Sequence, residues 1–362
     1  MFDADNGWAT SSNFGGNQIY RTTDGGQTWS DVSPRPFPQE DIYSYTFAKP
    51  QTAWISTSDG LLITKNGGKS WTKTTVPFGF FTSDYSACRF LNDKDGYAKD
   101  GSCGAGSVAY NFYETHDGGT SWKRLNISAP DGIESPEGIY LSNYHGDTIS
   151  FDPPRRLMIG RGEAGDDDEP RGSALVELSD NLGKTWRDIS LPLPREFKDA
   201  LTRPFPAGFF GPKNVVLPIQ IFKRNADASY AFNVLAFYTT ADGGGTWALK
   251  PNLLPLQRFD SENNLSLVTA NDFVVFGEGK LRITHDAARS WEEIMPNIGV
   301  GKDHPGRELS QMDFVDKNHG WIILQDTSTR YDDDDFTLYK TTDGGKNWAA
   351  VPLKISPAES QK

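Results

Sequence analysis

The stretch TTDGGQTW at residues 22–29 comes back as TTDGGKNW at residues 341–348. That return limits what this chain can fold into more than any other feature. Five intermediate versions lie between them: TKNGGKSW (64–71), THDGGTSW (115–122), SDNLGKTW (179–186), TADGGGTW (240–247) and THDAARSW (284–291). Self-similarity on this scale means an array of like units. Seven of the ten tryptophans end a copy, and successive copies are 42, 51, 64, 61, 44 and 57 residues apart. A solenoid keeps a constant period, whereas a repeated core carrying loops of unequal length does not.

One unit can be read from its pattern. In 309–353, LSQMDFV alternates and ends in the turn DKNHG; GWIIL, FTLYKT and NWAAVPL follow as further strands. Residues 42–76 repeat the scheme, so each unit is a four-stranded meander with the box at the hairpin between its third and fourth strands. The box Asp or Asn (Asp24, Asn66, Asp117, Asn181, Asp242, Asp286, Asp343) accepts turn N–H groups, and the glycines after it take positive φ without a Cβ clash. The closing Trp29, Trp71, Trp122, Trp186, Trp247, Trp291 and Trp348 cover the hairpin's apolar side. These residues read as structural staples. A lone meander cannot bury both its faces, and a closed ring of them can. The expected fold is therefore an all-β, seven-bladed propeller of four-stranded antiparallel blades, one domain over 1–362. Its blades fall near 1–34, 35–78, 79–130, 131–194, 195–255, 256–297 and 298–362.

Composition agrees and excludes several classes. Aromatic residues make up 12% and glycines number 36, which suits short strands joined by tight turns. Mean hydropathy is −0.55 and no apolar run approaches the length of a membrane span. The net charge of −12 argues against nucleic acid, which needs a basic stripe. Cys88 and Cys103 are left open between a disulfide and two inert thiols.

The boxes resemble the Asp-box, or bacterial neuraminidase repeat, superfamily. The companion GWA or GWI on the second strand (Gly7, Trp8, Ala9; Gly320, Trp321, Ile322), with DGYA at 95–98, is similar to the subgroup of the photosystem II assembly and stability factor. This resemblance spans essentially the whole chain and implies the fold; it implies no single activity. Aligning MFDADNGW on FVDKNHGW sets Met1 opposite Phe314, so the first blade lacks the segment matching ELSQMD. Either LKISPAESQK at the C-terminus supplies that inner strand or the chain is cut from a longer protein, and the second reading is preferred. The absence of a signal peptide then says nothing about location.

Function is expected on the face opposite the boxes, where the long loops 126–147, 161–172, 189–207, 295–307 and 326–335 fall. A sialidase-like enzyme would need an Arg-Ile-Pro motif, three converging arginines and a Tyr–Glu nucleophile pair. RPFP at 35–38 and 203–206 is read as crossover loop, and Tyr140, Tyr144, Glu134, Glu137, Arg155 and Arg156 do not assemble such a site. The runs holding Asp166 and Asp168, and Asp333 and Asp335, are the calcium candidates, but they lack the alternating spacing of a dedicated loop and read as solvated turns. No histidine pair has zinc-ligand spacing. The leading expectation is a secreted, periplasmic or surface-anchored, monomeric, cofactor-free and non-enzymatic propeller. It would bind a protein or glycan through Tyr140, Tyr144, His145, Arg155 and Arg156, with Phe205, Phe209 and Phe210 as further aromatic candidates whose alternative is core packing, the preferred reading for Phe209 and Phe210. A glycoside hydrolase is the first alternative and a photosystem-type assembly factor the second.

Overall fold

A computed structural model describes residues 1–13, 16–36, 42–57, 60–74, 87–92, 94–104, 106–130, 138–142, 146–152, 154–163, 169–225, 230–256, 262–300, 304, 306–327, 335–352 and 354–356. The strands form seven sheets, one per box, in a seven-bladed propeller. The blades are built in chain order from inner to outer strand. Blade 4 is the simplest: Thr148–Asp152, Arg156–Arg161, Ser173–Ser179 and Arg187–Pro192, each antiparallel to the next. Blades 2, 6 and 7 follow the same plan, opening on Ile42–Lys49, Leu265–Leu267 and Arg307–Phe314.

The second strands of blades 2 and 6 are buried on both sides, because each is sandwiched between two neighbouring blades. Thr52–Thr57 and Phe273–Gly277 are buried at every residue. The side chains gather into clusters between consecutive blades. Trp54 stacks on Phe90 with centroids 3.6 Å apart between blades 2 and 3, and Phe237 stacks on Phe273 at 5.1 Å between blades 5 and 6. Burying one such ring contributes roughly 1.5–3 kcal/mol. Between blades 7 and 1 the ring is closed by the Trp321 Nε1 bond to Gly25 O at 3.2 Å and by Lys340 Nζ to Ala4 O at 3.0 Å.

Each box forms the same hairpin. Its first residue, Thr or Ser, is buried. In the fifth copy the Thr240 hydroxyl donates to Asp242 Oδ1 (2.7 Å) and accepts from Gly244 N (2.9 Å). Asp242 closes the turn from the other side, accepting the N–H and the hydroxyl of Thr246 at 2.9 and 2.7 Å. Asn66 reproduces this with an amide that donates to Ser70 Oγ and accepts from Ser70 N. The two following positions take positive φ, 78° and 92° at Gly243 and Gly244. The fourth and sixth copies force Leu182 (56°), Ala287 (58°) and Ala288 (62°) into that region. The box tryptophans also reach across blades: Trp71, Trp186 and Trp291 donate Nε1 to the carbonyls of Val32, Ser128 and Asn252, which follow the outer strand of the preceding blade.

Three features depart from the sequence reading. Ile139–Ser142, assigned there to blade 4, pairs with Ser107–Thr115 and completes the outer edge of blade 3 beyond Lys123–Arg124. Leu201–Pro204, read as crossover, is the innermost strand of blade 5. The C-terminal Ile355–Ser356 runs parallel to Trp29–Asp31 on the outermost edge of blade 1, so among the described residues it does not supply an inner strand. The alignment of Met1 with Phe314 is visible in packing: the Met1 side chain fills the space a Cβ on Gly7 would need, as the rings of Phe90 and Phe314 do at Gly96 and Gly320.

Candidate functional site

The meander connectivity puts all seven box hairpins and the turns between first and second strands on one face. The second-to-third loops and the crossovers lie on the other. On this loop face, across blades 3 to 5, two buried carboxylates fasten the rim. Asp147 accepts from Arg161 Nη1 (2.9 Å), Ser142 N (3.2 Å) and Gly162 N (2.9 Å), which ties the outer edge of blade 3 to the top of blade 4. Arg161 also donates Nε to Glu177 Oε2 at 2.8 Å. Burial pushes the Glu177 carboxyl up, and the Arg161 guanidinium opposes that. For Arg161 burial works against the charge, but Glu177 and Asp147 outweigh it and its pKa rises.

Glu163 is fully buried. Its Oε2 accepts from Thr202 N (3.1 Å) and Thr202 Oγ1 (2.8 Å) on the inner strand of blade 5, and its Oε1 accepts from Arg171 N (2.7 Å). The second-to-third loop of blade 4 is thereby pinned to its neighbour at Glu163 and closed on itself at Arg171. These carboxylates spend their oxygens on backbone and arginine groups, so their arrangement holds loops in place.

Of the candidates read from sequence, Tyr140 lies on the outer strand of blade 3 and is 46% exposed. Arg155 and Arg156 lie on the box face, opposite to expectation. Arg155 O accepts from Leu182 N in the fourth box. Arg156 is buried and committed: its guanidinium binds Asp152 Oδ2, Gly211 O and Pro212 O and sits 4.6 Å from the Phe209 ring centroid. Both follow the first strand of blade 4 in sequence, and a meander carries its turn to the other side. Phe205 is 3% exposed and belongs to the core between blades 5 and 6, where Phe210 packs; Phe209 packs between blades 4 and 5.

Tyr144, His145, Asp166, Asp168 and Asp333 lie outside the described residues, as does the side chain of Asp335, whose backbone begins a strand of blade 7. Among the described residues no three metal-ligating side chains converge. Cys88 pairs with Ala98 and Cys103 with Val108, which separates them by about 16 Å along the strand. The side chains of both cysteines lie outside the described residues. Asp147, Arg161, Glu163 and Glu177 were missed in the sequence because each occurs once, outside the repeat.

The family model of the BNR/Asp-box repeat matches residues 20–31, the first hairpin. The chain carries the BNR/Asp-box repeat on a seven-bladed β-propeller. Among solved structures, this propeller is similar to "YCF48 bound to D1 peptide", with a TM-score of 0.53, 18% identity, and coverage of 90% of this chain and 89% of that one. YCF48 from Cyanidioschyzon merolae gives 0.42 at 13% identity, with 87% and 85% covered. A PL25 ulvan lyase gives 0.45 at 11%, with 96% and 85% covered. At these identities the likeness concerns the fold. No curated protein matches the sequence. No described helix of the propeller is long and apolar enough to cross a membrane.

Proposed function

We propose that this Asp-box propeller is a non-enzymatic binding module that holds a protein partner, through an extended segment of it, on the loop face of blades 3 to 5. The observation that carries the reading is the double fastening of that rim by the buried carboxylates of Asp147 and Glu163. Loops held in one conformation before binding lose little entropy on binding, and Tyr140 offers a rigid aromatic contact beside them. A catalytic carboxylate needs a free oxygen facing its substrate, and Asp147, Glu163 and Glu177 give theirs to loop and arginine groups. The similar fold of YCF48 has a D1 peptide bound, which supports a protein rather than a glycan partner. We place the protein outside the cytoplasm as part of the same proposal.

The test is a peptide array probed with the full chain and with Tyr140→Ala, beside a polysaccharide array assayed for released sugar. The reading expects peptide retention weakened several-fold by Tyr140→Ala and no sugar release. Cleavage of any polysaccharide, or retention on glycans alone, would overturn it.

A further inference from the structure

The seven junctions between blades are not alike. Among the described residues, buried apolar side chains gather into one cluster between each pair of consecutive blades from 1 to 7. The junction that closes the ring, between blades 7 and 1, has no such cluster among them. Part of the cause lies in the strand Gly7–Asn13. Trp8 turns toward blade 2, where it stacks on Phe47 with centroids 5.3 Å apart, so alternation leaves Gly7 and Ala9 to face blade 7. Two such small residues offer little apolar area to bury. On the blade 7 side Leu338 packs against Gly26 of the first box, while Phe336, two residues earlier on the same face of its strand, is 47% exposed.

The ties across this junction are polar. Trp321 Nε1 donates to Gly25 O, Lys340 Nζ donates to Ala4 O and lies 5.2 Å from the Trp321 ring centroid, and the Met1 amine meets Asp313 Oδ2 at 2.6 Å. Trp71, Trp186 and Trp291 each bond a carbonyl of the preceding blade, but Trp29 Nε1 is buried without a partner, a lapse it shares with Trp247. A further tie is the C-terminal strand. It leaves the outer strand of blade 7 and pairs Ile355 with Trp29 and Ser356 with Ser30 in parallel, and Trp29 N donates to Lys354 O at 2.9 Å. Two parallel pairs on an outermost edge make a weak ladder.

We propose that the propeller is a ring with a gate: it opens between blades 7 and 1, and Ile355–Ser356 is the strap that holds it shut. Local opening costs least where apolar burial is small and the backbone bonds lie at a surface edge. In a seven-bladed ring this junction lies directly across from blade 4. Opening there leaves the rim fastened by Asp147 and Glu163 in its shape, so the compliant and the rigid arcs of the ring are kept apart.

Indole N–H exchange, followed by NMR on the full chain, reads the junctions one by one, because tryptophan Nε1 bonds cross several of them. Trp321 reports on blades 7 and 1, Trp71 on blades 1 and 2, and Trp186 on blades 3 and 4. Trp321 is 4% exposed and Trp71 and Trp186 are only partly buried, so burial alone would protect Trp321 best. The gate predicts the reverse, with Trp321 exchanging at least ten-fold faster than the other two. Equal or slower exchange overturns it. Ser356→Pro removes an N–H from the strap and is expected to speed Trp321 at least ten-fold further while leaving Trp186 unchanged. No acceleration, or the same acceleration at Trp186, overturns the strap. Lys340→Met removes the bond to Ala4 O and keeps the strap, so it serves where Ser356→Pro does not fold. Acceleration confined to Trp321 is again expected, and acceleration shared with Trp186, or none, contradicts the gate.

Discussion

The two faces of this propeller are held together in different ways. On the box face one device is repeated seven times: a buried hydroxyl, a carboxylate or amide two residues on, and two positive-φ positions. On the loop face of blades 3 to 5 each fastening occurs once, and each depends on a buried charge, as Glu163 and Asp147 show. Repetition spreads stability over many small equal parts. Single buried charges concentrate it in a few residues and fix the shape of the surface they support.

The sharpest way to break this contrast is Glu163→Ala, which strands Thr202 and Arg171 without an acceptor. It is expected to cost about 3 kcal/mol, read as a lowered urea midpoint, because the Thr202 N–H, the Thr202 hydroxyl and the Arg171 N–H all lose their acceptor. A loss below about 1 kcal/mol would place Glu163 with ordinary surface groups. Thr240→Val in a box should cost about 2 kcal/mol, since one hydroxyl serves an N–H and a carboxylate. Thr64→Val should cost nearly the same; unequal losses would show that the hairpins are not interchangeable. A gain is expected from Leu182→Gly, about 0.5–1 kcal/mol, because Leu182 holds a φ of 56° that glycine adopts freely.

The smallest effect per site concerns pH. The Ser121 and Ser290 hydroxyls and N–H groups hold Asp117 and Asp286 down at about 2. A carboxyl whose folded pKa is depressed contributes stability that is complete above its unfolded value, about 3.9, and is lost as pH falls through the folded one. Acid should therefore loosen the aspartate hairpins as pH drops from about 4 toward 2, whereas the hairpins of Asn66 and Asn181 stay unchanged. Carboxyl NMR titration alongside hairpin amide shifts would check this, and equal loosening of all seven would contradict it.

The fold was legible because the box encodes its own geometry: only certain residues tolerate positive φ, and Asx oxygens at that spacing can meet only the turn they belong to. The hydroxyl at the first box position was less visible, since Thr is common in any strand. The rim was not legible because its partners are distant in sequence. Glu163 meets Thr202 across 39 positions, and no repeat brings them into register. Pro204 misled in a specific way: proline reads as loop, yet an innermost strand has one open edge, where a missing N–H leaves no ladder bond broken. Arg156 misled through direction, since sequence proximity to Tyr140 says nothing about which face a meander has reached.

The proposed division of labour makes the box face structural and the loop face of blades 3 to 5 the binding surface. Hydrogen–deuterium exchange of the full chain, with and without a peptide selected on the array, tests it most directly. New protection is expected at 139–142, 161–163 and 201–204, with the seven box hairpins unchanged. Protection confined to the hairpins would contradict it.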